Sequence, residues 1–178
     1  GCRMTTTLTI PTLETANLRL RGPDWSDFDA FAAFRMSNRT EHLGGAGTRT
    51  QAFDKLGEII GHWHLRGYGR WMVADKTTDA PLGVVGLFFP DDWPEPEIAW
   101  SVFEAAEGRG VAYEASLAAR SYAYDTLGWT TAVSCVSLGN TRSVALAKRM
   151  GGTREEDVIT RDGLHLEVYR HPAAEDLA

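Results

Sequence analysis

Cysteine is scarce in this chain. Two occur in 178 residues, Cys2 at the extreme start and Cys135 in the interior. One interior thiol cannot close an internal disulfide, so the core alone must hold the fold, and the pattern suits a reducing cytoplasm. No cysteine or histidine spacing resembles a zinc site, so no metal is expected. No apolar run approaches the roughly 18 residues that span a bilayer, and the opening GCRMTTTLTIPT has no apolar signal core. No membrane partner is therefore expected. Basic blocks are missing too. The formal charge is −6, with Arg19, Arg21, Arg66, Arg70, Arg142, Lys148 and Arg149 dispersed, which argues against a nucleic-acid partner. Internal repeats and low-complexity tracts are also absent.

A hydrophobic share of 43% and six tryptophans exclude a disordered chain. The length suggests one domain, residues 4–178, with Met4 as the native start and Gly1, Cys2 and Arg3 as an added remnant. Leu18 to Arg21 alternate like a strand, ended by Gly22 and Pro23. Asp24 can cap a helix to about Arg35, and a second helix is expected from about Gln51 to Leu65 beyond the linker LGGAGT. Strands are expected at 70–76, 82–89 and 97–103, then a helix from about Val111 to Leu127 closed by Gly128. A strand at 130–137 precedes a helix from Asn140 through Met150, and Asp162-Gly163 marks a closing hairpin. The order is β-α-α-β-β-β-α-β-α-β-β. This is an α/β (α+β) arrangement with about six or seven strands and about four helices.

The stretch FEAAEGRGVAYEASLAA, residues 103–119, sets a Gly-Arg-Gly turn between a strand and a helix. The first N–H groups of a helix have no intrahelical partner, the peptide dipoles add positive character, and glycines admit a close anion. Gly108, Arg109 and Gly110 are therefore candidates for phosphate binding, by their amides and by the Arg109 side chain. A plain turn with convenient glycines is the competing reading. The pattern is neither a Walker loop nor Gly-x-Gly-x-x-Gly, since position 113 is tyrosine. The preceding strand carries Glu97, Ala99, Ser101 and Phe103 on one face, with room for a ligand, and Ile98, Trp100 and Val102 on a core face. Asn140 and Ser143 open the next helix at the same sheet end, where ligands bind in open α/β sheets.

Taken in order, these motifs resemble the GNAT acetyltransferases, and within them the ribosomal-protein N-terminal acetyltransferase-like (RimJ/RimL-type) branch. The family signature Gln/Arg-x-x-Gly-x-Gly/Ala is matched by Glu107-Gly108-Arg109-Gly110-Val111-Ala112, and EGRGVAYEA is similar to the branch's Trp-Gly-x-Gly-Tyr-Ala-x-Glu-Ala. Asn140, Ser143 and Gly151 match the downstream pattern, and the likeness covers about residues 14–155. The resemblance implies a mixed, twisted sheet flanked by helices and direct transfer of acetyl from acetyl-CoA within a ternary complex. It implies that amides from Gly108 through Val111 to Ala112 hold the pyrophosphate. The pantetheine arm would lie in a split between strands 97–103 and 130–137, paired to backbone near Ser101, Val102 and Phe103. There a backbone N–H would polarise the thioester carbonyl. Asn140 would bond the pantetheine or a bridging water, and Ser143 would protonate the departing thiolate. The implied acceptor is a protein N-terminus or a small amine, and homodimers occur among similar proteins.

Three positions depart from the family pattern. Glu107 replaces Gln, Arg or Trp and is expected to point to solvent, away from phosphates. Val111 replaces Tyr, and Gly152 replaces Phe or Met.

An attacking amine must lose a proton, and Glu97 is the candidate base, against a reading as a plain sheet carboxylate. Tyr113, Tyr122, Tyr124 and Tyr169 are alternative proton donors, Tyr169 the best placed of them. Asp91, Asp92 and Glu95 read as a solvated acidic loop that could also draw an ammonium. His62 and His64, at a helix C-terminus, read as electrostatic rather than catalytic. Two further readings remain open: a non-catalytic acyl-CoA-binding module, and a structural domain whose Gly-Arg-Gly turn binds nothing.

Overall fold

The computed structural model describes residues 7–178. The expected start at Met4, the remnant Gly1 to Arg3 and Cys2 lie outside the described residues.

Alternation in Leu18-Arg19-Leu20-Arg21 buries both leucines and makes β2 (Leu18–Arg21), paired with the two-residue β1 (Leu13–Glu14). Asp24 accepts from Ser26 N–H at 2.9 Å while Asp27 accepts from Asp24 N–H at 2.8 Å, a reciprocal cap that starts the chain into α1 (Phe28–Arg35). A 3-10 segment (Asn38–Leu43) follows, and Thr48 then caps α2 (Arg49–Arg66). This cap is why α2 begins earlier than its apolar period suggests. The meander β3 (Arg70–Asp75), β4 (Pro81–Phe88) and β5 (Glu97–Val102) is antiparallel.

Next comes α3 (Val111–Ser121), whose expected last turns widen into a π-helical stretch, Tyr122–Thr126. Strand β6 (Val133–Ser137) starts three residues later than expected, because the Thr130 and Ala132 carbonyls already accept from Ala174 and His171. The chain closes with α4 (Thr141–Arg149), β7 (Thr153–Arg154), β8 (Val158–Ile159), β9 (His165–Arg170) and α5 (Ala174–Leu177). The expected hairpin at Asp162-Gly163 joins β8 to β9, with Gly163 at φ +84°.

All described strands form one mixed sheet in the order β1-β2-β3-β4-β5-β6-β9-β7, with β8 also on β9. It has nine strands where seven were expected, because two-residue strands β1 and β7 add to its margins. β5 and β6 are its parallel pair. Alternation sorts the core by face. Met72, Val84 and Phe103 meet the phenylalanines of α1 and Leu56 and Ile59 of α2. Trp71, Val73, Val85 and Ile98 meet Val111, Ala115 and Ala119 of α3, whose small residues let the helix sit close. No described helix is long and apolar enough to cross a membrane.

One ion pair ties β2 to the turn that leads into α1. Arg21 grips Asp27 with both terminal nitrogens at 2.8 Å, and the Asp27 side chain is 1% exposed. Breaking a buried pair costs up to about 3–5 kcal/mol, and without Asp27 the Arg21 charge would keep only the exposed Asp79 at 3.0 Å. Asp27→Ala should therefore lower the urea midpoint sharply with little change in slope. A midpoint within error of wild type would show that the pair contributes nothing net.

Candidate functional site

β5 and β6 pair at one position, Glu97 with Val133, and no further ladder joins them. Side chains lock the join. Glu97 accepts from Cys135 N–H of β6 at 2.7 Å and from the Trp93 indole at 2.9 Å. Ser134 donates to the Ile98 carbonyl at 2.7 Å and contacts His171 Nε2 at 2.8 Å, while Arg120 reaches His171 Nδ1 at 3.1 Å. Arg120 only donates, so Nδ1 accepts, Nε2 carries the proton, and the chain runs from Arg120 through His171 and Ser134 to Ile98. Burial lowers the His171 pKa to about 3, with Arg120 and Arg170 adding to the effect, so this histidine is neutral.

Glu97 is 3% exposed. Burial pushes its carboxyl up to about 8, against the opposing pull of Cys135 N–H, Trp93 and the Arg70 charge. Burial, then the neighbouring Glu97 charge, raises the Cys135 thiol, so it is not a thiolate at neutral pH.

Past the join, the backbone of β5 is free on one side. Phe103 N–H donates to Leu82 of β4 at 2.8 Å, so strand alternation turns the Trp100 and Val102 backbone the other way, into the gap. Ser101 and Phe103 turn theirs to β4. Phe103 is buried against α1, whereas Trp100 and Val102 pack against the core as expected but stay half-buried, because they also line the gap. The ligand-sized space thus comes from the parting of two strands rather than from small residues on one face.

The gap opens into a cleft of about 650 Å³ lined by Trp100 to Val102, the glycine turn, the first turn of α4 and the 3-10 segment. Ser137 donates to His42 O at 2.7 Å and fastens that segment to the far end of β6. Gly108 and Gly110 sit at φ +76° and +74°, a left-handed backbone that favours glycine, and a Cβ there would meet nothing within 4 Å. Gly110 is the N-cap of α3 and no side chain caps that helix, so its first-turn amides, Val111 to Tyr113, are without intrahelical partners.

Other candidates sort by position. Asn140 caps α4 through its carbonyl oxygen, accepting from Ser143 N–H at 3.3 Å, and its amide nitrogen remains for the cleft it lines. Ser143 Oγ accepts the Trp100 indole at 3.2 Å, which leaves the hydroxyl proton free to donate. Tyr113 lines the cleft under the Arg149 guanidinium, 3.8 Å from the ring centroid. Tyr169, 2% exposed, lies instead in the small core beneath α4. Tyr122 meets Trp71 edge to face and the Tyr124 hydroxyl donates to Pro172 O.

Two expectations change. Arg109 does not aim into this cleft: its side chain reaches Asp75 at 3.2 Å beside a separate polar cleft of about 480 Å³, and its amide is taken by Ala106 O at 3.3 Å. Glu107 is exposed, as expected, but it is not free, because Arg39 and Arg142 both pair with it. The acidic loop is partly paired, Asp91 and Asp92 sharing Arg161 and Glu95 sharing Arg170 with Glu155. His62 bridges Tyr68 O and Phe89 N–H at 2.8 and 2.9 Å, a structural clasp. Arg39, Trp93 and the Arg120–His171–Ser134 chain carried no sequence signal, since each acts through a partner more than three residues away. Arg142 was visible only as the neighbour of Ser143.

Residues 17–153 match the family model described as an acetyltransferase (GNAT) domain. Among solved structures, an acetyltransferase from Agrobacterium tumefaciens str. C58 is similar with TM-score 0.83 at 35% identity, over 96% of this chain and 99% of that one. A GNAT-family acetyltransferase from Bacillus anthracis gives 0.77 at 16% identity, over 93% and 99%. RimL, a ribosomal L7/L12 alpha-N-protein acetyltransferase solved with coenzyme A, gives 0.71 at 16%, over 90% and 97%. At that identity the last two share the fold.

Burial of Glu97 makes its carboxyl a distinctive titrating group. Difference infrared spectra of wild type against Glu97→Gln should show one carboxyl ionising near pH 8. Ionisation below pH 5 would mean that the site is wetter than the structure shows.

Proposed function

This chain belongs to the GNAT acetyltransferase family, and we propose that it carries an acetyl group from acetyl-CoA to a primary amine by direct attack in a ternary complex. The carrying observation is the parting of β5 and β6 immediately beyond Glu97, into a cleft that ends on the uncapped first turn of α3. The donor set suits coenzyme A. Amides at Gly108 and Gly110 to Ala112 suit a pyrophosphate, Asn140 offers its amide nitrogen, and Arg39 lines the cleft with a buried Nε that has no partner. Bound acetyl-CoA supplies the acetyl thioester.

The chain's residues then divide the work. Val102 N–H, turned into the gap, is the donor for a carbonyl oxygen. Glu97, with its affinity for protons raised, accepts the proton that the amine must lose, directly or through a water. Ser143, its oxygen already engaged by Trp100, gives its proton to the leaving sulfur. Cys135 is a poor nucleophile because its thiol is held protonated, which favours direct attack over an acyl-cysteine. We place the acceptor with the RimJ/RimL-type branch, as a protein N-terminal amine.

A ligand that binds only the folded state stabilises it, so CoA and acetyl-CoA should both raise the melting temperature. Gly110→Asp puts charge at the uncapped turn and should abolish that rise while the unliganded protein stays folded. With an acceptor in hand, turnover should climb with pH through about 8, because a raised carboxyl becomes a base only above its pKa. Glu97→Gln should remove this limb and cut kcat by about 100-fold or more with little change in CoA affinity. A melting temperature unmoved by either nucleotide would end the proposal. Binding without thiol release across a panel of N-terminal peptides and small amines would reduce it to an acyl-CoA-binding module.

A further inference from the structure

Glu107 stands one residue ahead of the glycine turn, on the wall of the cleft. Arg39 Nη1 donates to its Oε2 at 2.6 Å, and Arg142 pairs with its Oε1. Arg39 comes from the 3-10 segment beyond α1, and Arg142 from the first turn of α4. One carboxylate thus links elements from two sides of the cleft. The two arginines hold its pKa below the usual glutamate value, so it is charged at neutral pH.

Arg39 is not at rest there. Its Nη2 donates to the Val102 carbonyl at 3.2 Å, one of the backbone groups turned into the gap, while its Nε is buried without a partner. Arg149 lies over Tyr113 on the same wall. Three guanidiniums therefore line the cleft beside two carboxylates, Glu107 and Glu41, and a guanidinium accepts a phosphate in the same forked geometry as a carboxylate.

We propose that Glu107 is a built-in competitor for the phosphates of coenzyme A. It occupies Arg39 and Arg142 until a phosphate replaces it on them, and the shift of Arg39 releases the Val102 carbonyl. The inference rests on the reading of the cleft as a CoA site. It gives the acid in the glycine turn a role: it lowers affinity for the cofactor and keeps the two arginines and the edge of β5 paired when none is bound.

Calorimetric titration with CoA and with pantetheine, which lacks phosphates, tests this. Because a phosphate and the Glu107 carboxylate compete for the same forked donors, Glu107→Gln should bind CoA about tenfold more tightly, with a smaller gain for pantetheine. Arg142→Ala should weaken CoA and leave pantetheine nearly unchanged. In the double variant most of the Glu107→Gln gain should vanish, since competition needs the contested arginine. Unliganded melting curves identify any variant that has lost its fold, and Glu107→Asp then serves as the milder probe, expected to give a smaller gain in the same direction. Equal or weaker CoA binding by folded Glu107→Gln, or equal gains for CoA and pantetheine, would overturn the competitor role while leaving the CoA site standing. No CoA binding by wild type would overturn both.

Discussion

A parallel pair of strands normally continues its ladder as far as both strands run, because each unpaired buried N–H or C=O is costly. Here the ladder between β5 and β6 stops at Glu97 and Val133, and the amide of Cys135 is taken by the Glu97 side chain. A side-chain carboxyl oxygen thus does on β5 what a backbone carbonyl would otherwise do, and the strands can part. The Arg120–His171–Ser134 chain holds the neighbouring carbonyl of Ile98 and keeps the fork from opening further down. Everything placed at the cleft depends on this fork: the free backbone of Trp100 and Val102, the uncapped start of α3, and the first turn of α4 with Asn140 and Ser143. The same burial that fixes Glu97 raises its proton affinity.

Electrostatics at the cleft runs against the chain as a whole. The formal charge is −6, yet Arg39, Arg142 and Arg149 line one cleft against two acids, Glu41 and Glu107. Such a local positive excess would draw an anionic cofactor.

Much of this was legible in residue order. Periodicity located the first strand, the main helices and the meander, and Asp162-Gly163 marked the last hairpin, because those signals are local. The glycine turn was legible because a left-handed backbone favours glycine wherever it occurs. The flanking chemistry was not. Alternation put Trp100 and Val102 on the face that packs against the core, but nothing in β5 announces that its neighbour will part from it and leave them lining a cleft. Arg109 looked like a phosphate ligand until Asp75, 34 positions away, proved to be its partner. Glu107 looked solvent-bound because Arg39 is 68 positions away. Ion pairs depend on tertiary placement, and sequence spacing carries no record of them.

Two clefts flank the start of α3, one toward the parted strands and one beside Asp75 and Glu114. Amide shift mapping of the ¹⁵N-labelled protein during titration with CoA distinguishes them directly. The account predicts the largest shifts at Trp100, Val102, Gly108, Gly110 to Ala112 and Asn140. Shifts concentrated instead at Asn17, Asp75, Lys76 and Glu114, with Val102 unmoved, would contradict it.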